Sequence, residues 1–246
     1  MQVEVCANSM ASALAAEQAG ADRIELCSEL AVGGITPSPG LLEEVRETIR
    51  IPVHVLIRPR SGDFVYSDAE FRIMLRDIAA CRRLGFEGIV SGCLQADGSV
   101  DAARTRALVD AAGDGHFTFH RAFDRTPDPI AALAVLEEAG VDTLLSSGQQ
   151  GSAEAGLDLL VRLQEAATRI RIMPGAGIRP ENAANFKGKG FRYVHLSGLG
   201  PTGPEPAFSG PPMNSPALLT EGVPATTDPL RVAAVIRVLK ASLKGQ

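Results

Sequence analysis

Two short runs near the start of the chain, Val3-Glu4-Val5-Cys6 and Ile24-Glu25-Leu26-Cys27, set acids and thiols at alternate positions among aliphatic residues. In a strand, residues two apart share a face. Glu4 and Cys6 therefore lie on one side of the first run, and Glu25 and Cys27 on one side of the second. As neighbouring parallel strands, about 4.8 Å apart, the runs would line one wall with two carboxylates and two thiols. Burying such a wall without partners is costly, so its residue types point to chemistry. The thiols suit Cu(I), a soft ion that prefers sulfur ligands, and Cys6 and Cys27 would be close enough for one ion to bridge. The carboxylates suit proton transfer, given an imidazole and something to hold a substrate.

Both are supplied further along. Arg58 and Arg60 follow the third apolar run, Val53 to Ile57. The segment His120-Arg121-x-x-Asp124 brings an imidazole, a guanidinium and a carboxylate to the end of the fifth, and His195 and Ser197 close the eighth. In Pro174-Gly175-Ala176-Gly177 the glycines would let backbone N–H groups close on an anion, and with Ser197 the turn forms an anion corner. In an acid–base reading Glu4, Glu25 and His120 move protons, while Arg58 and Arg121 hold a small anionic metabolite. A plainer reading stays open: acids and arginines can fill a barrel interior as an ion-pair network, and buried cysteines can act as small hydrophobes. Cys81, on a helix stripe, and Cys93, at a loop start, belong to the plain reading. So do His54, placed low in the barrel, and His116, placed in a loop.

The elements that would position these residues follow a regular beat. Helices are expected after Ser9, from Ser38-Pro39, behind the capping box Ser67 to Glu70, over 101–112, from Asp128-Pro129, over 152–167, briefly from Pro180, and from Asp228-Pro229. Between them lie the apolar runs, the later ones at 88–91, 117–120, 143–146, 170–173 and 193–196. Eight strands alternating with eight helices predict a single-domain (β/α)8 TIM barrel spanning residues 1–246. A weak repeat of helix end, glycine and apolar strand, at Gly20, Gly85, Gly140 and Gly190, agrees with a fourfold arrangement. A long Pro/Gly-rich loop is expected over 198–227, and the final helix over 228–243.

The composition narrows the partners. At 246 residues, 45% hydrophobic and 22% charged, the chain has the make-up of a globular protein. A net charge of −5 with no basic run disfavours nucleic acid and anionic membranes. No apolar run is long enough to cross a bilayer. Strand-like sequence begins at residue 2, and the four cysteines lack C-x-x-C spacing. A cytoplasmic protein with reduced thiols and no leader is expected.

Taken together the motifs resemble one family. Glu4-Val-Cys-Ala-Asn-Ser9, Gly20-Ala-Asp-Arg-Ile-Glu-Leu-Cys-Ser28, Gly33-Gly-Ile-Thr-Pro-Ser38 and Ile57-Arg-Pro-Arg60 are similar to the copper homeostasis protein CutC family. So are Gly62-Asp-Phe-x-Tyr66, Thr118-Phe-His-Arg-Ala-Phe-Asp124 and Met173-Pro-Gly-Ala-Gly-Ile178. The resemblance runs from residue 2 to about 198. It implies a (β/α)8 barrel, a cytosolic, self-associating protein and a role in copper handling. The family's proposed Cu(I) ligands match Cys6 and Cys27. The tail from Pro201 to Thr227 departs from the family, and no basic residue follows Ser197 where the family usually has one. No organic cofactor is implied.

Overall fold

The computed structural model describes residues 1–200 and 226–241, and among these residues eight parallel strands alternate with seven α-helices. The strands are β1 (Gln2–Ala7), β2 (Arg23–Leu26), β3 (Val53–Leu56), β4 (Gly88–Ser91), β5 (His116–Phe119), β6 (Thr143–Ser146), β7 (Arg171–Pro174) and β8 (Tyr193–Leu196). The helices are α1 (Met10–Gln18), α2 (Pro39–Thr48), α3 (Asp68–Leu84), α4 (Ala102–Ala112), α5 (Pro129–Ala139), α6 (Leu157–Ala166) and α7 (Pro229–Lys240). The strands run in the order β7-β6-β5-β4-β3-β2-β1-β8 and curl into the single-domain (β/α)8 barrel that the alternation predicts. Among the described residues β7 and β8 close the ring only through a bridge between Gly175 and His195.

Local chemistry explains most helix starts. Ser9, Ser38, Ser67, Asp101, Asp128 and Asp228 each extend as N-caps, their side-chain oxygens accepting from backbone N–H groups of the first turn. α3 carries the full capping box, with Glu70 reaching back to Ser67. The outward faces of the strands, Val3, Val5, Ile24, Leu26, Val55, Ile89, Phe117 and Phe119 among them, pack under the helix stripes as one continuous core. The inward faces are far more polar, with Glu4, Arg23, Glu25 and His54 among them.

Several expected boundaries move. The helix expected from Pro180 is a short 3-10 helix, Ala183–Phe186. Asn182 ties that segment down instead, donating to the Gly177 carbonyl and accepting from the Arg179 N–H. The helix expected from Ser152 begins at Leu157, because the chain first folds back on itself. A Cβ on Gly156 would lie 2.0 Å from the Ser147 carbonyl, so only glycine permits that approach. His116 is the first residue of β5 rather than part of a loop. Leu199 and Thr227 pair at the two ends of the expected long loop. Residues 201–225 of that loop, and the expected last residues of the final helix, 242 and 243, lie outside the described residues.

Candidate functional site

The register of β1, β2 and β8 determines which side chains meet inside the barrel. Glu4 pairs in register with Arg23 on one side and His195 on the other, and Cys6 pairs with Glu25. Because alternate residues point inward, these side chains form a connected chain. Arg23 makes a salt bridge to Glu4 Oε2 and stacks over the Tyr193 ring, 4.2 Å from its centroid. Glu4 Oε1 accepts from His195 Nδ1 at 2.7 Å. His195 Nε2 then lies 3.7 Å from Glu25 Oε2. Beyond Glu25, the Cys6 and Cys27 sulfurs are 3.5 Å apart.

Burial and neighbours set the charges along this chain. Burial alone would raise the Glu4 pKa, but Arg23 and the His195 hydrogen bond outweigh it and hold the carboxyl well below the usual range. An ionised Glu4 can only accept, so His195 carries its proton on Nδ1. Burial works against charging His195, yet Glu25 and Glu4 together raise its pKa. Glu25 moves the other way from Glu4: burial raises its pKa and the Glu4 charge adds to the effect. The hydrogen bond with Cys27, burial and the Glu25 carboxylate all push the Cys6 thiol well up. At neutral pH the chain therefore holds a fixed Arg23–Glu4 pair, a His195–Glu25 pair whose charges support one another, and a protonated Cys6 thiol.

A pocket of about 240 Å³ opens above this chain at the C-terminal ends of the strands, where barrel sites form. Of the residues singled out from sequence, Cys6, Glu25, Arg58, His120, Arg121, Ala176, Gly177, His195 and Ser197 line it. Leu30, Phe64, Leu145 and Ile178 supply apolar wall. Glu4 lies below the pocket, behind His195, and is fully buried. Cys27 is also fully buried. The loop at Gly34 sits on it, at φ 87°, where an added Cβ would come 3.3 Å from the Cys27 Cβ and 2.6 Å from Leu56. Only a glycine can hold both that backbone and that approach.

The basic residues are mostly engaged elsewhere. Arg58 donates to the carbonyls of Val32, Gly34 and Gly62 at 2.8, 2.9 and 3.0 Å, so it also fixes the loop over Cys27. Arg60 pairs with Glu70 and Asp63 on the surface. Arg121 is paired with Asp124 at 2.8 Å and with Ser147 at 3.0 Å. Asp124 in turn accepts from Ser146 Oγ, Ser147 N, Ser147 Oγ and Gln149 N, which ties the segment after β5 to the end of β6. Gly175 lies outside the pocket lining, and its N–H bonds to the Ser146 carbonyl. Ala176 holds a left-handed φ of 84°, a backbone that alanine rarely adopts.

His120 stands apart. Its Nδ1 accepts from the Ala122 N–H at 3.3 Å, which places the ring proton on Nε2. That Nε2 is buried and has no partner among the described residues. Burial, with Arg58 nearby, lowers the His120 pKa to about 3, so the ring is a neutral donor. His54 and His116 form a separate stack lower in the barrel, 5.0 Å between ring centroids, and burial lowers their pKa values to about 3 and 4. Arg23 is the site residue that reading by run ends passes over. Strand parity marks it, since Arg23, Glu25 and Cys27 alternate along one face.

The CutC family model matches residues 1–200. The family protein CutC of Edwardsiella ictaluri is 50% identical over 197 residues, covering 80% of this chain and 78% of that relative. The chain belongs to the CutC family. A solved structure from Streptococcus agalactiae, described as the copper homeostasis protein CutC, superposes with a TM-score of 0.76 at 32% identity, over 80% of this chain and 98% of that one. 3-Hexulose-6-phosphate synthase from Salmonella typhimurium shares the fold alone, with a TM-score of 0.56 at 17% identity over 80% of this chain and 88% of that one. The family match ends where the chain leaves β8. The eight strands and the pocket at their ends thus lie within the matched residues, and α7 lies beyond them.

Proposed function

We propose that this CutC-family protein handles copper in the cytosol, taking up Cu(I) as cargo through Cys6 and Cys27. The observation that carries the reading is the 3.5 Å separation of the two sulfurs, both on the inner face of the barrel. With metal–sulfur bonds of about 2.3 Å, the zinc-thiolate value, that separation subtends about 100° at a shared ion. The pair therefore suits a bent two-sulfur grip with room for a further ligand. Two thiolates are also the ligand type a soft ion favours. Thiols bind a metal as thiolates and release protons on doing so, so uptake strengthens as pH rises. The naming of the Streptococcus agalactiae relative for copper homeostasis agrees with the same reading.

Titrating the reduced protein with Cu(I) against a competing chelator tests it. One ion bound per chain, lost in Cys6→Ser/Cys27→Ser while the circular dichroism is unchanged, is the expected result. Binding retained in the double variant overturns it.

A second reading is favoured by His120. A buried, unpartnered N–H donor on the wall of a pocket is costly unless a ligand accepts from it. In this reading the pocket holds a small anionic, for instance phosphorylated, metabolite. Glu25 and His195 supply acid and base, Glu4 orients His195, and Arg58, Arg121, Ala176, Gly177 and Ser197 shape the anion's surroundings. Phosphate and oxalate should raise the melting temperature of the wild type and not of His120→Ala. Equal shifts in both proteins would exclude His120 from ligand recognition.

A further inference from the structure

We propose that Cys6, Glu25 and His195 form a site for a borderline divalent metal ion, Zn²⁺ by donor type, with one coordination position open to the pocket. The site shares Cys6 with the thiol pair but excludes Cys27, and it stands whether or not Cu(I) binds there. The ligand atoms of the three side chains all lie within 4.8 Å of one another, and all three residues converge inside the barrel. The His195 Nε2 to Glu25 Oε2 separation of 3.7 Å is close to the edge of a tetrahedral shell with bonds of about 2.1 Å. One sulfur, one imidazole nitrogen and one carboxylate oxygen make a harder set than two thiols, and zinc accepts all three donor types.

Two further observations point to a metal rather than a simple hydrogen-bond cluster. First, His195 is already oriented as a ligand. Glu4 takes its Nδ1–H at 2.7 Å and is itself fixed by Arg23, which leaves Nε2 aimed at Glu25. This carboxylate–histidine arrangement is the outer support typical of metal-binding histidines. Second, Cys6, Glu25 and His195 all line the pocket, whereas Cys27 and Glu4 do not. Three protein ligands with the fourth position facing a cavity is the pattern of an open metal site. An oxygen of a small anion in that position would share the pocket with the unpartnered Nε2–H of His120. The ligand class implied is therefore an oxyanion or carbonyl compound held between the metal and His120.

The test uses the metal-free, reduced full chain titrated with Co²⁺ and then with Zn²⁺ against a competing chelator. Expected are one Co²⁺ per chain, a near-ultraviolet sulfur-to-cobalt band from Cys6, four-coordinate visible bands, and displacement by Zn²⁺. His195→Ala and Glu25→Gln should weaken Zn²⁺ binding by more than about 100-fold, and Glu4→Gln, which keeps the side-chain shape, by about 10- to 100-fold. Cys27→Ser, which keeps a hydroxyl beside the Cys6 sulfur, should weaken Zn²⁺ binding far less than His195→Ala does and leave one-to-one binding in place. Absence of one-to-one binding, loss of it in Cys27→Ser, or retention of it in His195→Ala each overturns the site. The same variants titrated with Cu(I) separate the two readings. Copper uptake by the thiol pair is lost in Cys27→Ser and survives His195→Ala, whatever Zn²⁺ does.

Discussion

Asp124 and Arg58 illustrate how a residue of the right type for chemistry can be committed to architecture. Both sit where a substrate clamp would be sought, and both spend most of their hydrogen-bonding capacity on the chain itself. Replacing Asp124 by alanine leaves the donors of Ser146, Ser147 and Gln149 without their acceptor, and should cost about 2–4 kcal/mol. A shift of the denaturation midpoint worth less than about 1 kcal/mol would mean that water replaces those bonds freely. Side-chain type and position were legible from the sequence at this scale: nine of the singled-out residues do reach one pocket. What a long side chain bonds to was not legible, because Arg58 reaches carbonyls 26 and 24 residues away that only the folded loop brings near. Arg23 was missed for a related reason. It opens its strand instead of closing it, and its role follows from register with Glu4, a non-local fact.

The strands of this barrel carry their information by parity. Gly88 in β4 is small because His54 of the neighbouring β3 occupies the space: an added Cβ would approach the imidazole to 2.5 Å. Gly88→Ala should therefore destabilise by about 1–3 kcal/mol through overpacking. Combined with His54→Ala, the loss should be smaller than the sum of the single losses, by equilibrium unfolding of all four proteins of the cycle. Additive losses would show that the glycine answers to some other constraint. Strand and helix identities were readable because alternation, caps and terminal glycines are local signals. The segment after β7 was over-read as a helix. Its polar ties through Asn182 are made by tertiary contact, and no short-range pattern announces them.

Across the whole molecule, burial of imidazoles sets the response to acid. His54, His116 and His120 have pKa values lowered from 6.5 to about 3, 4 and 3, chiefly by burial. The unfolded chain takes up these protons near 6.5 and the folded chain does not, so stability falls as pH drops from that point toward the folded values. Each imidazole should cost up to about 2 kcal/mol by pH 5. His195, with its raised pKa, contributes in the opposite sense: its stabilisation is present in acid and is lost as pH rises through the folded value. Melts should show Tm falling as pH drops from about 6.5 to about 5, a fall that His54→Phe makes shallower; a flat profile there would mean that water reaches these rings. Among the described residues every neighbouring pair of strands shares a ladder except β7 and β8, whose joint rests on the bridge between Gly175 and His195. Backbone amides on either side of that seam have fewer partners to lose, so deuterium should enter there before it enters β3, β4 or β5. The barrel would then dilate like a split ring, with its gap beside the one imidazole that faces both Glu4 and Glu25.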